Sequence, residues 1–165
     1  MRMYNALVSA RLLCEKSWSN IDILLKRRHD LIDNLVATVR RYAEHEQRTF
    51  SEVARYRSQA TETSDVADRG RAEAELGVAM GHLLAVAESY PDLKASGNFH
   101  HLAGQLAETE NAIALSRTTY NNAAEVMNGL VRKFPSVVAA RLFRYKEIQF
   151  FQVDEAERTA SVVSM

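Results

Sequence analysis

The chain has 165 residues, enough to bury a domain core without help from a disulfide or metal, so size asks for no cofactor. Lys and Arg together number 21, as do Asp and Glu, so no global field exists to attract nucleic acid. A composition of 47% hydrophobic and 8% aromatic residues, with 6 Gly and 2 Pro, predicts an all-α protein, and one cysteine, Cys14, excludes an internal disulfide.

From Met1 to Arg69 there is neither glycine nor proline. Cys14, Trp18, Ile21, Leu25, Ile32, Leu35, Val39, Tyr42 and Val53 keep a three-and-four spacing, with Tyr4 and Leu7 starting it earlier. That rhythm predicts one long first helix over 4–60. The stretch ATETSDV, rich in capping residues, places a turn at 60–66. A second helix is expected over 66–90, ended by Pro91. After the loop PDLKASGN, Asn98 is the expected cap of a third helix over 98–134, closed by Pro135. Ser136 opens a short helix over 136–143, and 144–165 form a tail whose aromatic pair suggests extended packing. No apolar run approaches the roughly 18–20 residues of a membrane span and no signal-peptide pattern opens the chain, so it reads as soluble.

These elements predict a single domain, 1–165: an elongated antiparallel bundle of three long helices and a short fourth. If turns centre near 62 and 94, helix 2 covers helix 1 only back to about Ile32, at ~1.5 Å per residue. The beginning of helix 1 then projects with Leu7, Cys14, Trp18, Ile21 and Leu25 uncovered. An uncovered apolar stripe calls for another copy, a membrane-linked segment or the C-terminal tail folding back, and these five residues are taken as the expected partner or oligomer interface, in a homo-oligomer or against a partner helix.

Charged residues inside the seam form a second expectation. Arg28 sits between Ile21 and Leu35 on the helical wheel, where an unpaired guanidinium would be costly. The level rule sets it beside Asp92, favouring a bidentate pair over recognition of an anionic ligand. Glu46 also falls in the seam, level with Glu110 and Asn111, with Arg117 as countercharge. These six residues are read as a structural polar layer, the alternative being a Glu46–Glu110 carboxylate site for a metal or proton.

The motifs of chemistry are missing. A di-iron bundle needs Glu-x-x-His twice, yet no histidine has Glu three positions earlier. His45-Glu46 begins HExxH, but Thr49 replaces the second histidine. Adjacent His100 and His101 point to different faces, and no GxSxG elbow, phosphate loop or paired CxxC occurs. The expectation is no enzyme, no catalytic residue, no metal and no cofactor. Gly77 and Gly81 form GxxxG, read as a site of close backbone approach. Arg141, Phe143, Arg144, Lys146, Phe150 and Phe151 make a basic-aromatic segment suited to a bilayer interface, or to capping the bundle's open end.

Several blocks carry a resemblance: YNALV at 4–8, WSNIDILLKRRHDLIDNLV at 18–36, YAEHE at 42–46, GHLLAVAESYPDLKASGNF at 81–99, ETENAIALSRTTYN at 108–121 and RKFPS at 132–136. In order and spacing the chain resembles the LemA family over nearly its whole length. The resemblance implies a helical bundle, a transmembrane helix just before the YN motif, membrane association and no established enzymatic activity. Three features depart from it. Only Met1-Arg2-Met3 precede Tyr4, so the usual anchor is absent from this sequence, and the expectation is either a soluble or cytoplasmic member or a chain that lacks its natural start; Asp33 stands where many relatives have proline; and the tail keeps Phe143, Lys146, Phe151 and Glu155 to Arg158 but ends in Met165. The functional expectation is a non-enzymatic interaction or scaffold module that self-associates or holds a protein partner at the cell envelope. The alternative is peripheral membrane binding through the basic-aromatic segment, and no nucleic acid is expected as partner.

Overall fold

The computed structural model describes residues 2–152; the Glu155 to Arg158 run and the rest of the tail lie outside the described residues. The protein is all-α. Among the described residues six helices occur and no strand: α1 Arg2–Arg40, α2 Gln47–Glu62, α3 Val66–Glu88, α4 Pro91–Lys94, α5 Gly97–Arg132 and α6 Ser136–Leu142. They group into two compact units. One gathers Arg27–Glu110 with Gln152; the other gathers the residues up to Lys26 with Asn111–Phe151.

In the Arg27–Glu110 unit the expected helix 4–60 is broken. After Arg40 the amides of Arg41, Tyr42 and Ala43 bond to the carbonyls of Thr38 and Val39, and α2 starts at Gln47 after six intervening residues. The chain reverses there, because Arg57 on α2 reaches back to Asp33 on α1 at 2.5 Å. Reversal buries Phe50, Val53 and Ala60 against Ile32, Leu35, Leu76 and Leu83. Burying a Val or Phe side chain contributes about 1.5–3 kcal/mol, whereas the turn still satisfies its amides, so packing outweighs the propensity of an unbroken helix.

Asp65 caps α3, accepting from the amides of Ala67 and Asp68 at 3.0 and 3.2 Å. Gly70 in its first turns lies against Gln152, whose carbonyl oxygen any side chain there would overlap. Gly81 is different: a side chain there would meet open space, so the GxxxG expectation of close approach fails at that residue. The expected loop after Pro91 contains the one-turn α4, which seats Leu93 fully in the core. At the start of α5 it is Ser96, not Asn98, whose hydroxyl accepts from Phe99 N–H (3.4 Å). Asn98 instead donates to Thr38 Oγ1 at 3.2 Å, tying α5 to α1.

In the other unit the first 25 residues of α1 are not bare. Leu7, Ala10 and Cys14 pack with Ala123 and Met127 of α5 and Ala140 of α6, joined at the edge by Tyr145 and Ile148. Ile21 and Leu25 are fully buried. Trp18 is half-buried, its ring 5.3 Å from Tyr120 and 5.4 Å from Phe151. The expected partner interface of Leu7, Cys14, Trp18, Ile21 and Leu25 is therefore corrected: the chain covers it itself. The overhang followed from a helix running to residue 60; with α1 ending at Arg40, levels along the chain shift, and α5, α6 and the tail supply the cover.

Candidate functional site

Three arrangements of polar and exposed groups stand out, the first around Arg28. This buried guanidinium donates from Nη1 to Glu73 Oε2 at 2.9 Å and to the Glu73 carbonyl at 3.3 Å, while its Nε lies 2.7 Å from Glu110 Oε1. His29 Nε2 lies 2.9 Å from the other Glu73 oxygen. Three helices thus converge on one charge cluster. Both oxygens of Glu73 are engaged, so the cluster has no open position for a ligand; it fixes the register of α1 against α3 and α5.

Most of the expected polar layer lies elsewhere. Asp92 is exposed on α4, and Arg28 pairs with Glu73 and Glu110 instead. Glu46 sits at the N-cap position of α2, where Tyr90 Oη donates to it at 3.4 Å. The Glu46–Glu110 carboxylate site is not formed, since Glu110 serves Arg28. Asn111 is exposed and Arg117 half-buried. The residues missed were His29 and Glu73. A signal for Glu73 existed: 73, 76, 80, 83 and 87 keep a three-and-four spacing, all buried, so an acid lies in the α3 seam opposite a base in the α1 seam.

The second arrangement binds the tail. Residues 145–151 run extended along α5 in the terminal unit. Asn128 donates to the Ile148 carbonyl (2.9 Å) and accepts from its amide (2.7 Å); Asn121 does the same with Phe151 (3.1 and 2.9 Å). Tyr120 Oη donates to the Gln149 carbonyl at 2.9 Å. Burial pushes the Tyr120 phenol up to about 12, with the Cys14 charge adding in the same direction. Burial also raises the Cys14 thiol, which leaves it protonated and a poor nucleophile at neutral pH. Arg132 bonds Glu147 in bidentate fashion and holds that carboxyl below its ordinary range.

The third arrangement is a surface. Phe134, in the turn before α6, and Val138 and Leu142, four residues apart on α6, are 83%, 61% and 75% exposed. Phe143 follows, half-exposed, its ring 4.8 Å from that of Tyr4, so the beginning of α1 lies beside the end of α6. Lys133, Arg141, Arg144 and Lys146 are exposed around them, and no acidic residue occurs between Glu125 and Glu147. The neutral chain therefore carries a local excess of positive charge. Of the expected membrane-facing residues, Arg141, Phe143, Arg144, Lys146 and Phe150 are exposed, but Phe151 is buried against Trp18.

Among the described residues no group of three or more histidine, cysteine or acidic side chains converges as a metal site requires, and no helix is long and apolar enough to cross a membrane.

The family model described as "LemA family" matches residues 17–165. The chain belongs to the LemA family. Among curated relatives it is similar to magnetosome protein MamQ of Magnetospirillum gryphiswaldense, 25% identical, the match covering 94% of this chain and 67% of that protein. Magnetosome protein MamQ 2 of Paramagnetospirillum magneticum is 28% identical over the same shares. Protein LemA of Metamycoplasma hominis is 25% identical, over 81% of this chain and 61% of its own length.

Proposed function

We propose that this LemA-family chain is a non-enzymatic docking module that rests on an anionic membrane surface through α6. The observation that carries this reading is the run of exposed apolar residues Phe134, Val138, Leu142 and Phe143 interspersed with exposed Lys133, Arg141, Arg144 and Lys146 in one short segment. Exposed apolar side chains and cations in one short segment suit the acyl boundary and the headgroups of a bilayer. The Tyr4–Phe143 contact adds that the first turn of α1 shares this surface, so a segment preceding it in relatives would leave from the same side. Self-association through the α1 seam loses its basis with that seam covered, and the membrane reading takes its place. The binding role fits the site chemistry better than catalysis does: the buried cysteine is protonated, and the buried carboxylate is doubly engaged.

Flotation tests it. With vesicles holding anionic phospholipid the protein is expected to float, and with purely zwitterionic vesicles to bind weakly. Changing Lys133, Arg141 and Lys146 to Glu is expected to weaken binding by at least about 100-fold, since each cation near such a surface contributes about 1 kcal/mol and each glutamate adds repulsion. Leu142→Ser should weaken binding to both vesicle types. Binding that survives the charge reversal, or a protein that stays with the soluble fraction on anionic vesicles, would overturn the reading.

A further inference from the structure

We infer that the α5 groove filled by residues 145–151 accepts the same segment from a second copy, so that the chain forms dimers by exchanging its C-terminal strap. The inference rests on the terminal unit alone and stands whether or not α6 meets a membrane.

The groove reads main chain. Asn121 and Asn128 each close a two-bond ring with the amide and carbonyl of a single strap residue, Phe151 and Ile148. Seven helical residues advance about 10.5 Å. Three extended residues advance about 10 Å. The two asparagines are thus spaced as the strap is, and each pairs without using any strap side chain. Selection comes from the side chains between: Phe151 enters against Trp18, and Tyr120 holds Gln149 between the clamps. An extended chain from any source would satisfy the asparagines. The one sequence whose fit the structure displays is this chain's own, which makes a second copy the occupant.

What returns the strap to its own groove is a single turn. Tyr145 N–H bonds to Ala140 O at 2.9 Å and Arg144 N–H to Arg141 O at 3.2 Å, the pattern that ends helices with a left-handed residue. Glycine normally occupies that position, but here it is Arg144, at φ 56. A short, strained hinge is the condition that favours exchange, because the open form relieves the strain and every strap contact is remade in trans. The short link also gives the strap a local concentration near the millimolar range, so the monomer prevails when dilute and dimers gather as concentration rises.

The test uses hinge variants of the full chain, with light scattering after concentration and re-dilution. Arg144→Pro cannot adopt a positive φ, loses the bond to Arg141 and pushes Phe143 out of helical geometry, so the closed turn is disfavoured twice. It is expected to raise the dimer fraction at least tenfold over the parent, and adding Asn121→Ala with Asn128→Ala should abolish that dimer. Arg144→Gly relieves the closed hinge and should lower the parent's dimer fraction about fivefold. A monomeric, folded Arg144→Pro protein overturns the inference, as does a dimer that persists without the asparagines. Should Arg144→Pro lose its helical signal, the comparison of parent with Arg144→Gly decides, and equal dimer fractions overturn it.

Discussion

Glu73→Ala is expected to destabilise the protein by about 3–5 kcal/mol, the range for removing one partner of a buried ion pair. The loss comes less from the missing attraction than from what stays behind. Arg28 and His29 would both remain buried while Glu110, partly open to water, was left as the carboxylate at hand. For a chain of this length, each kcal/mol lowers Tm by about 2–4 °C, so thermal unfolding should shift down by about 10 °C. Two further variants separate the mechanism from mere crowding. Glu110→Ala should cost less, because Glu110 is itself partly exposed and its removal would open the buried Nε to water. Arg28→Met combined with Glu73→Leu should recover part of the loss, since it removes the orphaned guanidinium and leaves only the buried His29 without its carboxylate. A Glu73→Ala protein within about 1 kcal/mol of the parent would show that the cluster does not set the register of α1, and calorimetry would reveal it.

Phe151→Ala should be as damaging, and Phe150→Ala nearly silent. The two neighbours differ in burial and contacts: Phe151 is fully covered against Trp18, whereas Phe150 is 38% exposed. Truncating a buried phenylalanine costs about 3–5 kcal/mol, while an exposed substitution usually stays within about 0.5 kcal/mol. Phe151 also forms one wall of the Trp18 pocket, so the emission of this sole tryptophan should shift to the red in Phe151→Ala and stay put in Phe150→Ala. Denaturant unfolding followed by Trp18 fluorescence reads both effects. Equal behaviour of the two variants would mean that the strap does not cover the start of α1.

Helix endings were legible where chemistry stops a helix locally. Pro91 and Pro135 stand just beyond the ends of α3 and α5, and Asp65 caps α3 inside the expected turn. The break after Arg40 has no such mark. RYAEHEQ holds no glycine or proline, and its turn follows from Phe50 and Val53 reaching the core only if the chain reverses. That hidden reversal displaced every level computed along the bundle, which is why Arg28 was matched to Asp92 rather than Glu73. It also produced the apparent overhang at Leu7 and Trp18. The asparagine clamp was visible in part, as Asn121 and Asn128 recur at one heptad position beside Tyr120 and Met127. Its meaning depends on the strap lying alongside, a long-range pairing that helical periodicity does not contain. Phe150 and Phe151 look alike in sequence for the same reason: in an extended chain, successive side chains point to opposite faces, and register alone decides which is buried.

The most direct measurement of the membrane reading is amide hydrogen exchange of the full chain with and without vesicles containing anionic phospholipid. Residues 134–143 and the first turn of α1 should gain protection on the vesicles, while the turn between α2 and α3 at Thr63–Asp65 keeps its rate. Protection that appears elsewhere with α6 unchanged, or no change anywhere in a sample that floats, would contradict it.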